Sequence, residues 1–130
     1  MIYIETSVVL AQLLAEDRCP PQNVWAATPV SSRLTQYEVW TRVHARGLGS
    51  SHGESVRLLL GRLGWLEMTP AVLARALEPW PITLRTLDAL HLASIEFLRA
   101  HGQDIVLATY DDRIIAAAQR LSIPLFPLHS

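Results

Sequence analysis

A chain of 130 residues, half of them apolar and with a formal net charge of −1, holds enough hydrophobic surface for one packed domain spanning 1–130, which argues against disorder and against gripping nucleic acid by bulk positive charge. The single Cys19 rules out an internal disulfide, and neither it nor the five scattered histidines fall at a zinc-binding spacing. No basic flank precedes Met1 to Ile4 and no apolar run reaches the length of a membrane span, so the expectation is a soluble cytoplasmic protein without membrane contact.

Met1 to Ile4 is apolar and partly β-branched and reads as a short buried strand. Thr6 or Ser7 is a fitting N-cap for a helix whose apolar stripe is Val8, Leu10, Ala11, Leu13 and Leu14, which leaves Glu5 at the carboxyl end of the strand. Cys19-Pro20-Pro21 breaks the pattern; Gln22 to Ala27 then forms a short helix and Thr28 to Ser31 a second strand. Ser31 and Ser32 offer an N-cap for a helix over Leu34 to Arg46, with Val39, Trp40 and Val43 on one side and Glu38 and Arg42 at i, i+4 on another.

The run Gly47 to Gly53 has a superficial likeness to a dinucleotide loop, but it follows a helix and its glycine spacing is off. It reads as a helix-helix connection in which Gly47 or Gly49 ends one helix and Ser51 with Glu54 forms a capping box for the next, continuing over Val56 to Leu63. Trp65 to Met68 is a third strand, Pro70 to about Leu77 a helix, and Pro79-Trp80-Pro81 a loop. Thr86 to Ala100 is the most apolar helix, with a Thr86 cap and Asp88 in its first turn, where the helix dipole favours negative charge. Ile105 to Ala108 reads as a parallel strand buried on both faces, Thr109-Tyr110-Asp111-Asp112 opens a helix over Arg113 to Leu121, and Pro124 to Phe126 is a last strand. Strands alternating with helices predict a parallel sheet in a three-layer α/β/α sandwich.

Four acids stand out by position: Glu5, Glu38, Asp88 and Asp111. Each has a plain structural alternative. Glu5 is explained by solvation at a strand end, Glu38 by an ion pair with Arg42, Asp88 by the helix dipole and Asp111 by N-capping. The α/β reading, however, places all four at one edge of the sheet, where ligands bind in open α/β folds. Carboxylates within ~4–6 Å of one another repel unless a cation neutralises them, and an all-oxygen set without Cys or His selects Mg²⁺ or Mn²⁺. Ions of that kind neutralise phosphate oxygens and lower the pKa of water, which is the chemistry of phosphodiester hydrolysis.

Thr6, Ser7 and Thr109 neighbour these acids and are placed to orient a carboxylate, a role that helix capping by Thr6 or Ser7 matches equally well. His91, three residues after Asp88, reads as a core histidine with one hydrogen bond and stays outside the catalytic set, and Asp112 as a dipole partner of its helix. All eleven basic residues are arginine, whose planar fork suits phosphate, although codon bias produces the same composition. Arg33, Arg42, Arg46, Arg85 and Arg113 are candidates for holding substrate phosphates, with ordinary surface charge the better reading for at least half of them.

Met1-Ile-Tyr-Ile-Glu-Thr-Ser-Val-Val-Leu10, Val30-Ser-Ser-Arg-Leu-Thr-Gln-Tyr-Glu38, Leu87-Asp-Ala-Leu-His-Leu-Ala93 and Leu107-Ala-Thr-Tyr-Asp-Asp-Arg113 together resemble PIN-domain ribonucleases, most closely the toxins of VapBC-type toxin-antitoxin pairs. The resemblance spans the whole chain. It implies a five-stranded parallel sheet, with Glu38, Asp88 and Asp111 as metal-binding acids, Glu5 in the first acidic position and Thr109 on the polar rim. It implies an endoribonuclease that uses Mg²⁺ or Mn²⁺, a homodimer, and a cognate antitoxin covering the site. The family's first acid is most often Asp; Glu5 is one methylene longer, and Mg²⁺ sites tolerate little geometric error. A catalytically weak module that binds RNA or a protein partner without cleavage is therefore the alternative. A metal-dependent phosphatase ranks last, because no covalent nucleophile is presented in an activating loop.

Overall fold

The computed structural model describes residues 1–128. Four strands, β1 (Ile2–Ile4), β2 (Pro29–Ser32), β3 (Gly64–Leu66) and β4 (Val106–Ala108), form one parallel sheet in the order β3-β2-β1-β4. Six α-helices surround it: α1 (Thr6–Leu14), α2 (Arg33–Ala45), α3 (Gly49–Leu60), α4 (Pro70–Ala76), α5 (Thr86–Ala100) and α6 (Asp112–Arg120), with a 3₁₀ turn at Gln22–Trp25. The register sets Tyr3 beside Val30 on one side and beside Leu107 on the other.

The sheet separates two apolar cores. Ile2, Ile4 and Ala108 join Val8, Val9, Val39, Val43, Val56 and Leu60 from α1, α2 and α3 on one face. Tyr3 and Leu107 join Leu92, Ile95, Ile114, Ala117 and Ala118 from α5 and α6 on the other. Alternating strand residues thus feed opposite layers, and each fully buried aliphatic side chain contributes roughly 1.5–3 kcal/mol. α4 packs against α5.

The expected fifth strand at Pro124 to Phe126 is reduced to one bridge between Leu107 and Leu125, so the sheet has four strands rather than five. Leu107 N donates to Pro124 O and Phe126 N to Leu107 O, both at 2.8 Å. The next parallel bond would run from residue 124 to the Ile105 carbonyl, and a proline has no N–H to give.

Several helix starts differ from expectation. Glu5, not Thr6 or Ser7, is the N-cap of α1, its carboxylate accepting from Ser7 N at 3.2 Å. Arg85, not Thr86, occupies the N-cap of α5. The capping box at Ser51 and Glu54 does not form, because α3 already begins at Gly49; Gly47, at φ 68°, takes the left-handed turn that ends α2 and leaves only three residues between the two helices. Ser32 caps α2 as expected, accepting from Leu34 N at 3.1 Å, and Thr69 caps α4 through Val72 N at 3.4 Å.

Candidate active site

The chain runs β1 to β2 to β3 in one direction across the sheet and then returns to the far side of β1 with β4. That reversal opens a crevice between the carboxyl ends of β1 and β4, the place where open α/β sheets bind ligands. A cavity of about 410 Å³ lies there, and Glu5, Glu38, Asp88 and Asp111 all line it. The grouping expected from the sequence is thus brought together from four separate segments: the β1 into α1 junction, the second turn of α2, the first turn of α5, and the β4 into α6 junction.

Each acid is held by its own partners. Glu5 is only 5% exposed, so it is not the solvated strand-end acid of the plain reading. Its Oε1 accepts from Ser7 Oγ at 2.5 Å and from Thr109 Oγ1 at 2.7 Å. Thr109 Oγ1 in turn accepts from Asp111 N at 3.0 Å, and Ser7 Oγ from Tyr110 N at 2.9 Å. Two hydroxyls therefore lace the β1 exit to the β4 exit.

Glu38 turns away from Arg42 and toward the sheet, where Thr6 Oγ1 donates to its Oε1 at 2.7 Å and His91 Nε2 lies 2.6 Å from the same oxygen. Burial opposes the Glu38 charge, but the hydrogen bond and charge of His91 and the Thr6 hydroxyl outweigh it and hold the carboxyl below its usual range. Burial likewise opposes charge on His91, and the Glu38 hydrogen bond with the fields of Glu5, Glu38 and Asp88 outweighs that in turn, holding the imidazole above its ordinary value. His91 Nδ1 lies 2.8 Å from the Tyr3 hydroxyl, whose burial among these acids raises its pKa well beyond the usual phenol range. His91 thus uses both ring nitrogens and lines the cavity. Sequence reasoning left it out; the signal present was its spacing of three from Asp88, which puts both on one face of α5.

Asp88 is buried at the third position of α5 and reaches back to Arg85 N at 3.4 Å. Arg85 also gives it a two-pronged ion pair, Nε to Oδ2 at 2.9 Å and Nη2 to Oδ1 at 3.1 Å, and bonds Asp111 Oδ2 at 3.1 Å. Asp111 is the N-cap of α6, its Oδ1 accepting from Arg113 N at 2.9 Å and Ile114 N at 3.2 Å. Capping, the plain alternative for Asp111, is real and leaves Oδ2 directed at the crevice. Asp112 is exposed in the first turn of α6 and does not line the cavity. Glu16, which the sequence did not single out, does line it.

Of the arginines proposed for phosphate, Arg42 and Arg85 line the cavity. Arg33 is committed to Glu67 at 2.8 Å and Arg46 to Glu16 at 3.5 Å, while Arg113 lies outside the lining.

The donor set is all carboxylate, which suits a hard divalent cation. In this arrangement, among the described residues, no three His, Cys, Asp or Glu side chains are grouped to hold one ion. The reason is visible above: Glu5 faces two hydroxyls, Glu38 faces Thr6 and His91, and Asp88 and Asp111 face Arg85. The chemistry of the four carboxylates fits a hard divalent metal, and their present partners occupy the oxygens that would hold it.

The chain belongs to the PIN domain family, whose model matches residues 2–121. The resemblance read from the sequence is thereby borne out. Among curated relatives it is similar to Ribonuclease VapC46 of Mycobacterium tuberculosis (strain ATCC 25618 / H37Rv), 33% identical over 126 residues that cover 94% of this chain and 93% of the relative. It is also similar to Ribonuclease VapC47 of Mycobacterium tuberculosis (strain CDC 1551 / Oshkosh), 30% identical over 128 residues covering 93% and 92%. The crystal structure of Mycobacterium tuberculosis VapC20, a toxin described as cleaving the sarcin-ricin loop, superimposes with a TM-score of 0.68 over 90% of this chain and 95% of that one. At 19% identity that likeness is one of fold.

Proposed function

We propose that the chain acts as a single-domain endoribonuclease, the toxin of a toxin-antitoxin pair, and that it hydrolyses RNA phosphodiester bonds with Mg²⁺ or Mn²⁺ held by Glu5, Glu38, Asp88 and Asp111. The observation that carries this reading is the convergence of those four acids, from four separate segments, on one cavity at the carboxyl edge of the sheet. Its kinship with VapC ribonucleases along nearly the whole chain supports the same reading. When bound, a divalent cation there supplies charge for the phosphate oxygens and acidifies water.

The protein's own residues do the positioning. Thr6 and His91 hold Glu38, Ser7 and Thr109 hold Glu5, and the helix cap holds Oδ1 of Asp111, so each carboxylate is kept at the cavity by its own partners. Arg42 and Arg85 stand on the wall of the same cavity, where a guanidinium fork meets phosphate. A cognate antitoxin and a second copy of the chain belong to this proposal as protein partners. Among the described residues no helix is long and apolar enough to cross a membrane.

The test is RNA cleavage and Mn²⁺ binding by wild type beside Asp88→Asn and Asp111→Asn. Both variants should lose both properties while keeping the far-UV circular dichroism of the fold; equal RNA degradation by all three would mean that the activity comes from elsewhere. A second reading, a PIN-like module that binds RNA or a protein without cutting, draws on the inward turn of Glu5 and the absence of a closed three-ligand group among the described residues. Under it, affinity for RNA or partner survives both substitutions and Mn²⁺ does not bind.

A further inference from the structure

The donors recorded on the Asp88 carboxylate all belong to Arg85: its backbone N–H, Nε and Nη2. The same Nη2 reaches Asp111 Oδ2, the oxygen that the α6 cap leaves over. One guanidinium therefore spans two acids on different helices. A carboxylate as buried as Asp88, at 3% exposure, needs a cation or strong donors beside it to offset its lost hydration, and Arg85 supplies both. The Arg85 side chain is itself 55% exposed. Its backbone is fixed at the N-cap of α5 while its head can swing into water, so it is tethered but replaceable.

We propose that Arg85 is a built-in counter-ion that competes with the divalent cation for Asp88 and Asp111, so that the cation enters by exchange with the guanidinium. This rests on the metal-dependent reading of the site. The apparent cation affinity is then reduced by the fraction of molecules whose Arg85 remains engaged. The competing account is a plain ion pair that fastens α5 to α6. That account predicts lost stability on removing Arg85 and no gain in cation affinity.

The experiment is Mn²⁺ titration by calorimetry of wild type, Arg85→Gln, Arg85→Lys and Asp88→Asn, joined to an NMR titration with diamagnetic Mg²⁺ that follows the Arg85 Nε–H resonance of ¹⁵N-labelled wild type. Arg85→Gln should bind Mn²⁺ about tenfold tighter than wild type, since removing the competitor makes nearly every molecule binding-competent. Arg85→Lys, which keeps the charge without the fork, should fall between them. The Nε–H signal should move toward its solvent-exposed position as Mg²⁺ saturates the site. Should folded Arg85→Gln and Arg85→Lys bind no tighter than wild type, or should the Nε–H signal stay fixed while Mg²⁺ binds, the exchange is refuted and the metal site stands. If Arg85→Gln does not fold, Arg85→Lys and the wild-type resonance still decide. If wild type, both Arg85 variants and Asp88→Asn all fail to bind Mn²⁺, the metal reading falls and takes this inference with it.

Discussion

The carboxylate of Glu38 and the imidazole of His91 meet at 2.6 Å across two helices, 53 residues apart in sequence. The far side of the ring is buttressed by the hydroxyl of Tyr3, from the central strand of the sheet. A line of three side chains thus runs from the middle of the sheet to the cavity wall. Such a relay fixes the orientation of a carboxylate that would otherwise have several rotamers, and it depends on every member being paired.

Tyr3→Phe removes the end of that line while keeping the ring. His91 Nδ1 is then left buried without its partner, which costs about 1–3 kcal/mol of stability. Urea denaturation should show the loss with an unchanged m-value, and Mn²⁺ affinity should fall because Glu38 is less firmly aimed.

Thr109→Val deletes two contacts at once, the donor to Glu5 and the acceptor for Asp111 N. With both groups losing a partner in a closed setting, the expected destabilisation is again about 1–3 kcal/mol. Thr109→Ser should recover most of it, because the hydroxyl is what matters; a larger loss in Thr109→Ser than in Thr109→Val would instead trace the effect to packing of the methyl group.

At position 5 cap strength and metal geometry separate. Glu5→Ala takes from the Ser7 and Thr109 hydroxyls the carboxylate acceptor they share and removes the α1 cap, for about 1–2 kcal/mol. Glu5→Asp stays within about 1 kcal/mol of wild type, since Asp is a favoured N-cap. Thermal melts of the two variants without added metal decide this, and Mn²⁺ titration of Glu5→Asp shows whether the shorter side chain improves the site.

Ser32→Ala should lower stability by about 1 kcal/mol by uncapping α2, the helix that carries Glu38. Chemical denaturation reads it directly. Activity should fall little in comparison, since the Glu38 contacts to Thr6 and His91 remain.

Much of the fold was legible because its signals are local. Apolar runs, prolines and glycines marked each main element to within a few residues, and alternation of strand and helix led to a parallel sheet with helices on both faces. The fifth strand misled because Leu125 and Phe126 are apolar enough for a strand, while the decisive fact is that Pro124 has no donor for Ile105. At the helix starts the pattern favoured the hydroxyls Thr6 and Thr86, yet a longer side chain one residue earlier, Glu5, took the first cap. The positions of the four acids could be read from strand ends and the early turns of helices. What they touch could not: the links of His91 to Tyr3 and of Arg85 to Asp111 join distant segments, and no spacing in the chain announces them.

The short inner strand β1 leads directly into Glu5, and its residues alternate between two separate apolar layers, Ile2 and Ile4 into one and Tyr3 into the other. A slip of one residue would push an aromatic ring into the space of an isoleucine on one side and leave a void on the other, so both layers resist it together. The aim of the first acid is therefore set from behind by apolar residues that never meet a ligand. Substitutions deep in either layer should disturb chemistry at the crevice before they unfold the protein.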